Sequence, residues 1–317
     1  RASHEIGYPQ KRGSGIGKGR AIERKNRMEK SKRTLRLMRR NWLLYVFLLP
    51  AVIYMGIFLY APMYGLVIAF KDFTASKGIL GSPWVGTKWF ELFFTSPRFW
   101  QILKNTLILS VYSLIVGFPL PVILALMIND IRNLRFKRFT QTVTYMPYFI
   151  STVVLVGMMS VLFSPKSGVV NAILAHMGGS GETFFMGESR YFRHMYVWSG
   201  VWQSMGWNSI IYIAALTGVS QELHEAAKID GANKIQRILH VDLPAILPTM
   251  IILLIMNCGS ILNVGYEKVY LLQNSLNTPV SEVISTYIYK IGLQQQKFSY
   301  STAIGLFNNI VNFIILV

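Results

Sequence analysis

From position 42 onward, long apolar runs alternate with polar stretches. The runs lie at 42–60, with an apolar continuation to 70, and at 105–128, 143–163, 195–216, 246–264 and 301–317. A helix rising 1.5 Å per residue needs about 20 residues to cross a hydrocarbon layer of about 30 Å. Each run meets or nears that length. Backbone groups in lipid must pair within their own segment, so each run predicts a spanning helix. Pro119 and Pro121 predict a bend in the second, because proline leaves carbonyls unpaired; Pro147 falls near the start of the third. The pattern predicts an all-α integral membrane protein with six transmembrane helices over 42–317. Composition agrees: 52% of the 317 residues are hydrophobic and only 15% are charged, the profile of a chain that lives in lipid.

Charge then orients the helices. The formal net charge is +18, but residues 1–40 alone hold 14 of the 32 Lys and Arg, with three acids. Residues 1–30, rich in Gly, Lys and Arg and without apolar period, predict a flexible tail. Gly13–Lys18 resembles a phosphate loop only superficially: Arg12 replaces its first glycine, Gly19 its Ser or Thr, and no strand precedes it. Residues 31–40 set Leu35 and Met38 among basic residues, as in an amphipathic helix lying at a membrane interface. The connector 131–141 carries Arg132, Arg135, Lys137 and Arg138, and the connector 222–248 carries Lys228, Lys234 and Arg237. By the positive-inside rule the N-terminus and both connectors are cytoplasmic, and the tail is drawn to anionic lipid rather than to nucleic acid. The connectors at 71–104, 164–194 and 265–300 mix charges with a slight positive lean. Cys258 is the sole cysteine, so no disulfide forms within the chain. The chain lacks an initial Met and stops inside an apolar run, so both ends are expected to be trimmed.

The polar stretch at 222–248 reads as a helical elbow. Its first half favours helix, and Asp230-Gly231 then breaks it. Glycine suits the left-handed end of a helix, and Asp230 is placed to cap the next one. A second amphipathic turn carries Ile235, Ile238 and Leu239 on one side and Lys234 and Arg237 on the other. Pro244 and Pro248 predict that this turn stops near Leu243.

Glu225-Ala226-Ala227, three residues, Gly231, nine residues, then Val241-Asp242-Leu243-Pro244 resembles the EAA loop of binding-protein-dependent ABC importer permeases of type I. Val241, where Ile is usual, is the one departure. Further stretches resemble the oligo- and polysaccharide branch of that family: Ala61–Gly65, Ala69–Asp72, Gly81–Gly86, Asn105–Leu107, Met146–Phe149, Trp202–Asn208 and Asn263–Glu267. The resemblance covers about 42–317 and reaches alginate-importing permeases. It implies a multi-pass protein of the bacterial cytoplasmic (inner) membrane with a second permease subunit, two ATPase subunits and an extracytoplasmic solute-binding protein as partners. It implies that Glu225, Ala226, Ala227, Asp230, Gly231, Leu243 and Pro244 couple to the ATPase. ATP and Mg then belong to that ATPase, this chain binds no cofactor, and transport proceeds by alternating access. An oligo- or polysaccharide such as alginate is the implied substrate, with another solute of the same class of importer as the alternative.

No stretch supports catalysis. His176, His194, His224 and His240 lie near loops or span ends without metal-ligand spacing, and His4 lies in the tail. Sugars need aromatic faces and many hydrogen-bond partners in a shaped cavity. Trp198 and Trp202, at i and i+4, with Gln203 and Asn208, supply these in the fourth run; Asn257 and Asn263 in the fifth; Asn308 and Asn312 in the sixth. Amides in hydrocarbon must face protein or water, so the alternative for each is hydrogen bonding between helices, with tryptophans as interface anchors. A stand-alone secondary transporter is the competing class. Such proteins often hold ionisable residues within spans, and the apolar centres here carry none.

Overall fold

The computed structural model describes Leu37 and residues 39–179 and 181–317. The expected tail at 1–30, with Gly13–Lys18, and most of the expected interfacial helix at 31–40 lie outside the described residues. Among the described residues the fold is all-α, with one isolated β-bridge between Lys71 and Trp84. The chain divides into two units, Arg1–Gly65 and Leu66–Val317. In the first, α1 (Trp42–Met55) runs through a wide π turn at Gly56–Tyr60 into Ala61–Met63. It is apolar all round and buries no side chain, as suits a helix set in hydrocarbon.

Besides single turns at Gly78–Gly81 and Thr278–Ser281, the second unit holds the helices α2 (Lys88–Phe94), α3 (Phe99–Gly117), α4 (Pro119–Asn129), α5 (Leu134–Tyr145), α6 (Thr152–Leu162), α7 (Val169–His176), α8 (Ser189–Thr217), α9 (Gln221–Ile229), α10 (Lys234–Arg237), α11 (Leu243–Cys258), α12 (Tyr266–Leu272), α13 (Ile284–Tyr289) and α14 (Phe298–Leu316). Among the described residues four helical runs are long and apolar enough to cross a membrane: Trp42–Phe70, Phe99–Asn129, Lys234–Cys258 and Phe298–Leu316. The pair Leu134–Phe149 and Thr152–Leu162, bent by 96°, counts as a fifth if it is one span. Helix α8 is 29 residues long but is diluted by Gln203, Ser204, Asn208 and Ser209 and does not join these runs.

Helix α8 is the centre of the packing. Val197 and Val201 join Leu109 of α3, Leu155, Val156 and Met159 of α6, and Val269 and Leu272 of α12 in one buried cluster. One end of α8 sets Tyr212, Ile213 and Leu216 against Val122, Ala125 and Ile128 of α4 and Ile246 of α11. A third cluster joins Phe93, Phe99 and Ile102 to Ile284, Tyr287, Tyr300 and Ile304. The buried residues of α3, Phe99, Ile102, Asn105, Thr106, Leu109 and Ser110, fall three or four positions apart along one side, so one stripe faces protein.

Two helices depart from the sequence reading. The third expected span, 143–163, is not one rod. Pro147 sits in a 3-10 turn (Met146–Phe149), and Ile150 and Ser151 are extended. Ser151 restarts the helix by accepting the Val154 N–H at 3.3 Å. The fifth begins earlier than expected. Pro244 does not stop the helix, because a π turn at Ile238–Asp242 precedes it and Leu243 N–H bonds back to the Ile238 carbonyl. The wider turn absorbs the missing donor, and the run continues from Lys234 to Cys258.

Candidate functional site

The elbow is built from local hydrogen bonds. The Ser220 hydroxyl accepts the Glu222 N–H at 3.2 Å and opens α9. At its end, Gly231 N–H bonds Lys228 O at 3.1 Å and Ala232 N–H bonds Ala227 O at 2.9 Å. This paired closure needs a left-handed residue, and Gly231 supplies it at φ +79°. Asn233, not Asp230, caps α10: its side chain accepts the Gln236 N–H at 2.9 Å, and the Gln236 side chain accepts the Asn233 N–H at 2.8 Å. Asp230 instead ends α9, and its side chain is exposed. Two side-chain contacts flank the turn. Lys234 pairs with Asp130 at the end of α4, and His224 Nε2 lies 3.3 Å from the buried carboxylate of Asp242.

Glu225, Ala226 and Pro244 are exposed, Ala227 is half-buried, and Leu243 packs into the cluster formed by α4, α8 and Ile246. The elbow also exposes Leu223, Ile229, Ile235 and Leu239. It thus presents apolar side chains, small residues and a carboxylate outward while its base is anchored in the helices.

Between α3, α4, α8, α11 and the start of α12 lies a cavity of about 1080 Å³. Gln203, Asn208, Asn257 and Asn263 all line it. The Gln203 amide also donates to the Ile150 carbonyl at 2.7 Å, so it pairs a backbone group freed by the break after Pro147. Trp207 stacks on Tyr148 with ring centroids 4.4 Å apart, and a Cβ on Gly206 would come 1.9 Å from the Thr144 carbonyl oxygen. These contacts press the Met146–Phe149 turn onto α8.

Asn308 and Asn312 do not line the cavity. Both are buried and donate to the Asn263 side-chain oxygen, at 2.9 and 3.1 Å, and Asn312 accepts the Leu262 N–H at 3.0 Å. They hold the turn after α11 against α14. Trp198 and Trp202 are exposed on another face of α8, and the Trp198 indole donates to the Tyr112 hydroxyl at 3.1 Å. Sequence reasoning missed Ser110, Ser113, Tyr196 and Lys268, which also line the cavity. The two hydroxyls and the Lys268 ammonium are buried without a hydrogen-bond partner. The available signal was weak: Lys268 is one cation in a connector whose charges look diluted. Among the described residues no group of three His, Cys, Asp or Glu side chains could hold a metal ion.

Apolar helices around an open, largely apolar cavity set with amides and hydroxyls, together with an exposed elbow, fit a membrane transport subunit. Residues 117–317 match the family described as binding-protein-dependent transport system inner membrane component, and the chain belongs to that family. It is therefore a non-catalytic, multi-pass membrane subunit of an ABC importer. It is 44% identical over 91% of its length, and 89% of the relative's, to the polygalacturonan/rhamnogalacturonan transport system permease protein YteP of Bacillus subtilis (strain 168). It is 43% identical over 88% of its length, and 87% of the relative's, to protein LplB of the same organism. Its fold is similar to the crystal structure of a bacterial ABC transporter involved in the import of the acidic polysaccharide alginate. That match has a TM-score of 0.83 and 40% identity, covering 90% of this chain and 96% of the other.

Proposed function

We propose that this chain forms half of the membrane pathway of an ATP-driven importer for oligo- and polysaccharides, with acidic ones such as alginate or galacturonan foremost. The observation that carries the reading is a cavity walled by amides, hydroxyls and rings in a chain with 44% identity to a permease named for polygalacturonan. A second permease completes the pathway, a solute-binding protein delivers sugar from outside, and two ATPase subunits bind ATP and Mg in the cytoplasm. Six crossings, with α8 and the bent pair as the two less apolar ones, leave the N-terminus and the elbow inside, in the bacterial cytoplasmic membrane.

The elbow at 222–248 docks on an ATPase subunit through Glu225, Ala226 and Ala227. Two alanines permit close approach, Glu225 supplies a charge for a cation opposite, and Gly231 holds the turn. Closure of the ATPase pair moves the elbow. Leu243 and Ile246 carry that motion into α4 and α8. A straight helix of 29 residues is about 43 Å long, so α8 transmits it past the cavity. Pathway walls then rock between outward and inward opening, in alternating access. In this reading Gln203, Asn208, Asn257 and Asn263 face the sugar, Asn308 and Asn312 hold Asn263 in place, and Trp198 and Trp202 face lipid or the second permease.

Purification of the assembled complex tests this. Co-elution of the ATPase, lost on Glu225→Lys or Gly231→Pro, supports the reading. ATP-independent sugar uptake by this chain alone would overturn it.

A further inference from the structure

We propose that Lys268 is the residue that selects acidic sugars, by pairing with a uronate carboxylate in the cavity. The inference rests on the acidic-sugar reading above and adds the residue that recognises the substrate's charge. Lys268 projects from α12 into the cavity wall, and none of the described residues lining that cavity is acidic. Its ammonium nitrogen is buried and makes no hydrogen bond. The Tyr196 ring centroid, 5.1 Å away, offers a partial partner, and the Tyr196 hydroxyl is itself tied to the backbone of Gly265. A Cβ on Gly200 would come 3.2 Å from the ammonium, so glycine there leaves the cation room.

A buried cation without a counter-charge is costly to keep, and folds do not retain one without compensation. Burial pulls the Lys268 pKa down to about 8, which still leaves it mostly charged at neutral pH. The Ser110 and Ser113 hydroxyls, also unpaired, line the same cavity and suit the hydroxyls of a sugar ring. A carboxylated sugar brings the ammonium a counter-charge, whereas a neutral one leaves it unpaired. Selection by an unpaired group is steep, because the wrong ligand leaves the desolvation cost unmet.

The test uses the whole complex in proteoliposomes, supplied with its binding protein. The probes are tetramers of galacturonate and of alginate, each as free acid and as neutral methyl ester. Lys268→Met should raise the half-saturating concentration for the acid about tenfold, and Lys268→Arg should stay within about threefold of the parent. Any uptake of the ester should change less than about twofold in both variants. Equal impairment by Met and Arg, or an unchanged acid response in the Met variant, would overturn the assignment while leaving the carbohydrate reading standing. Failure of the parent complex to take up any of the probes would sink the acidic-sugar reading itself, and this inference with it.

Discussion

The elbow and the cavity solve opposite problems. The elbow is made by neighbours in sequence: every bond that shapes its turn joins residues at most five apart. Its outward face is left unsatisfied, with Leu223, Ile229 and Ile235 exposed. The cavity is made by residues far apart in sequence, and one of its supports, Gln203 to the Ile150 carbonyl, spans 53 positions. Local motifs can present a surface to a partner, but only packing between helices can surround a ligand. A damaged elbow should therefore uncouple an intact protein, whereas damage beneath the cavity should disturb the fold itself.

Substitutions sharpen that contrast. The largest effect is expected for Gly206→Val. Its Cβ would drive into the Thr144 carbonyl, and overpacking of this kind costs about 3 kcal/mol or more. Thermal unfolding of the complex in detergent should show a large loss of stability, and a parent-like transition would refute the close approach. Gln203→Leu should cost about 2 kcal/mol, by stranding the Ile150 carbonyl. The same melting experiment should rank it below Gly206→Val.

Elbow variants should instead leave melting nearly intact and alter ATPase stimulation by substrate. At Gly231 a side chain meets nothing within 4 Å, so Gly231→Val is penalised only by its backbone angle, about 1–2 kcal/mol spent locally. Stimulated ATPase should fall while basal ATPase persists. Asn233→Ala should cost about 1 kcal/mol of local helix stability and Asp230→Ala less than about 0.5, because Asn233 makes the cap. Hydrogen exchange over 221–237 distinguishes the two. Smallest is Lys234→Ala, which removes a largely exposed pair with Asp130 worth under about 1 kcal/mol. Its loss should be visible only at low salt.

Much of the elbow is legible in the order of its residues. The glycine break at 231, the helical character on either side of it and the motif around Glu225 are short-range features, and short-range chemistry is written residue by residue. The same holds for the apolar runs. The misread cap shows the limit even there: Asp230 and Asn233 both suit the role, and the Asn233–Gln236 reciprocity decides between them.

Sequence alone determined that the chain is helical, that it is built for lipid, and where its charged glycine turn lies, because spans and turns answer to local composition. The tertiary structure decided the rest. It broke the third span at Pro147 and carried the fifth through Pro244 on a π turn. It turned Asn208 and Asn257 toward the cavity and gave Asn308 and Asn312 to Asn263. It also buried Lys268 where a connector cation would ordinarily be solvated. For the amides and Lys268 the physical reason is shared: a polar group in or beside a span must face protein or water, but which neighbour it meets is set by the helices packed around it.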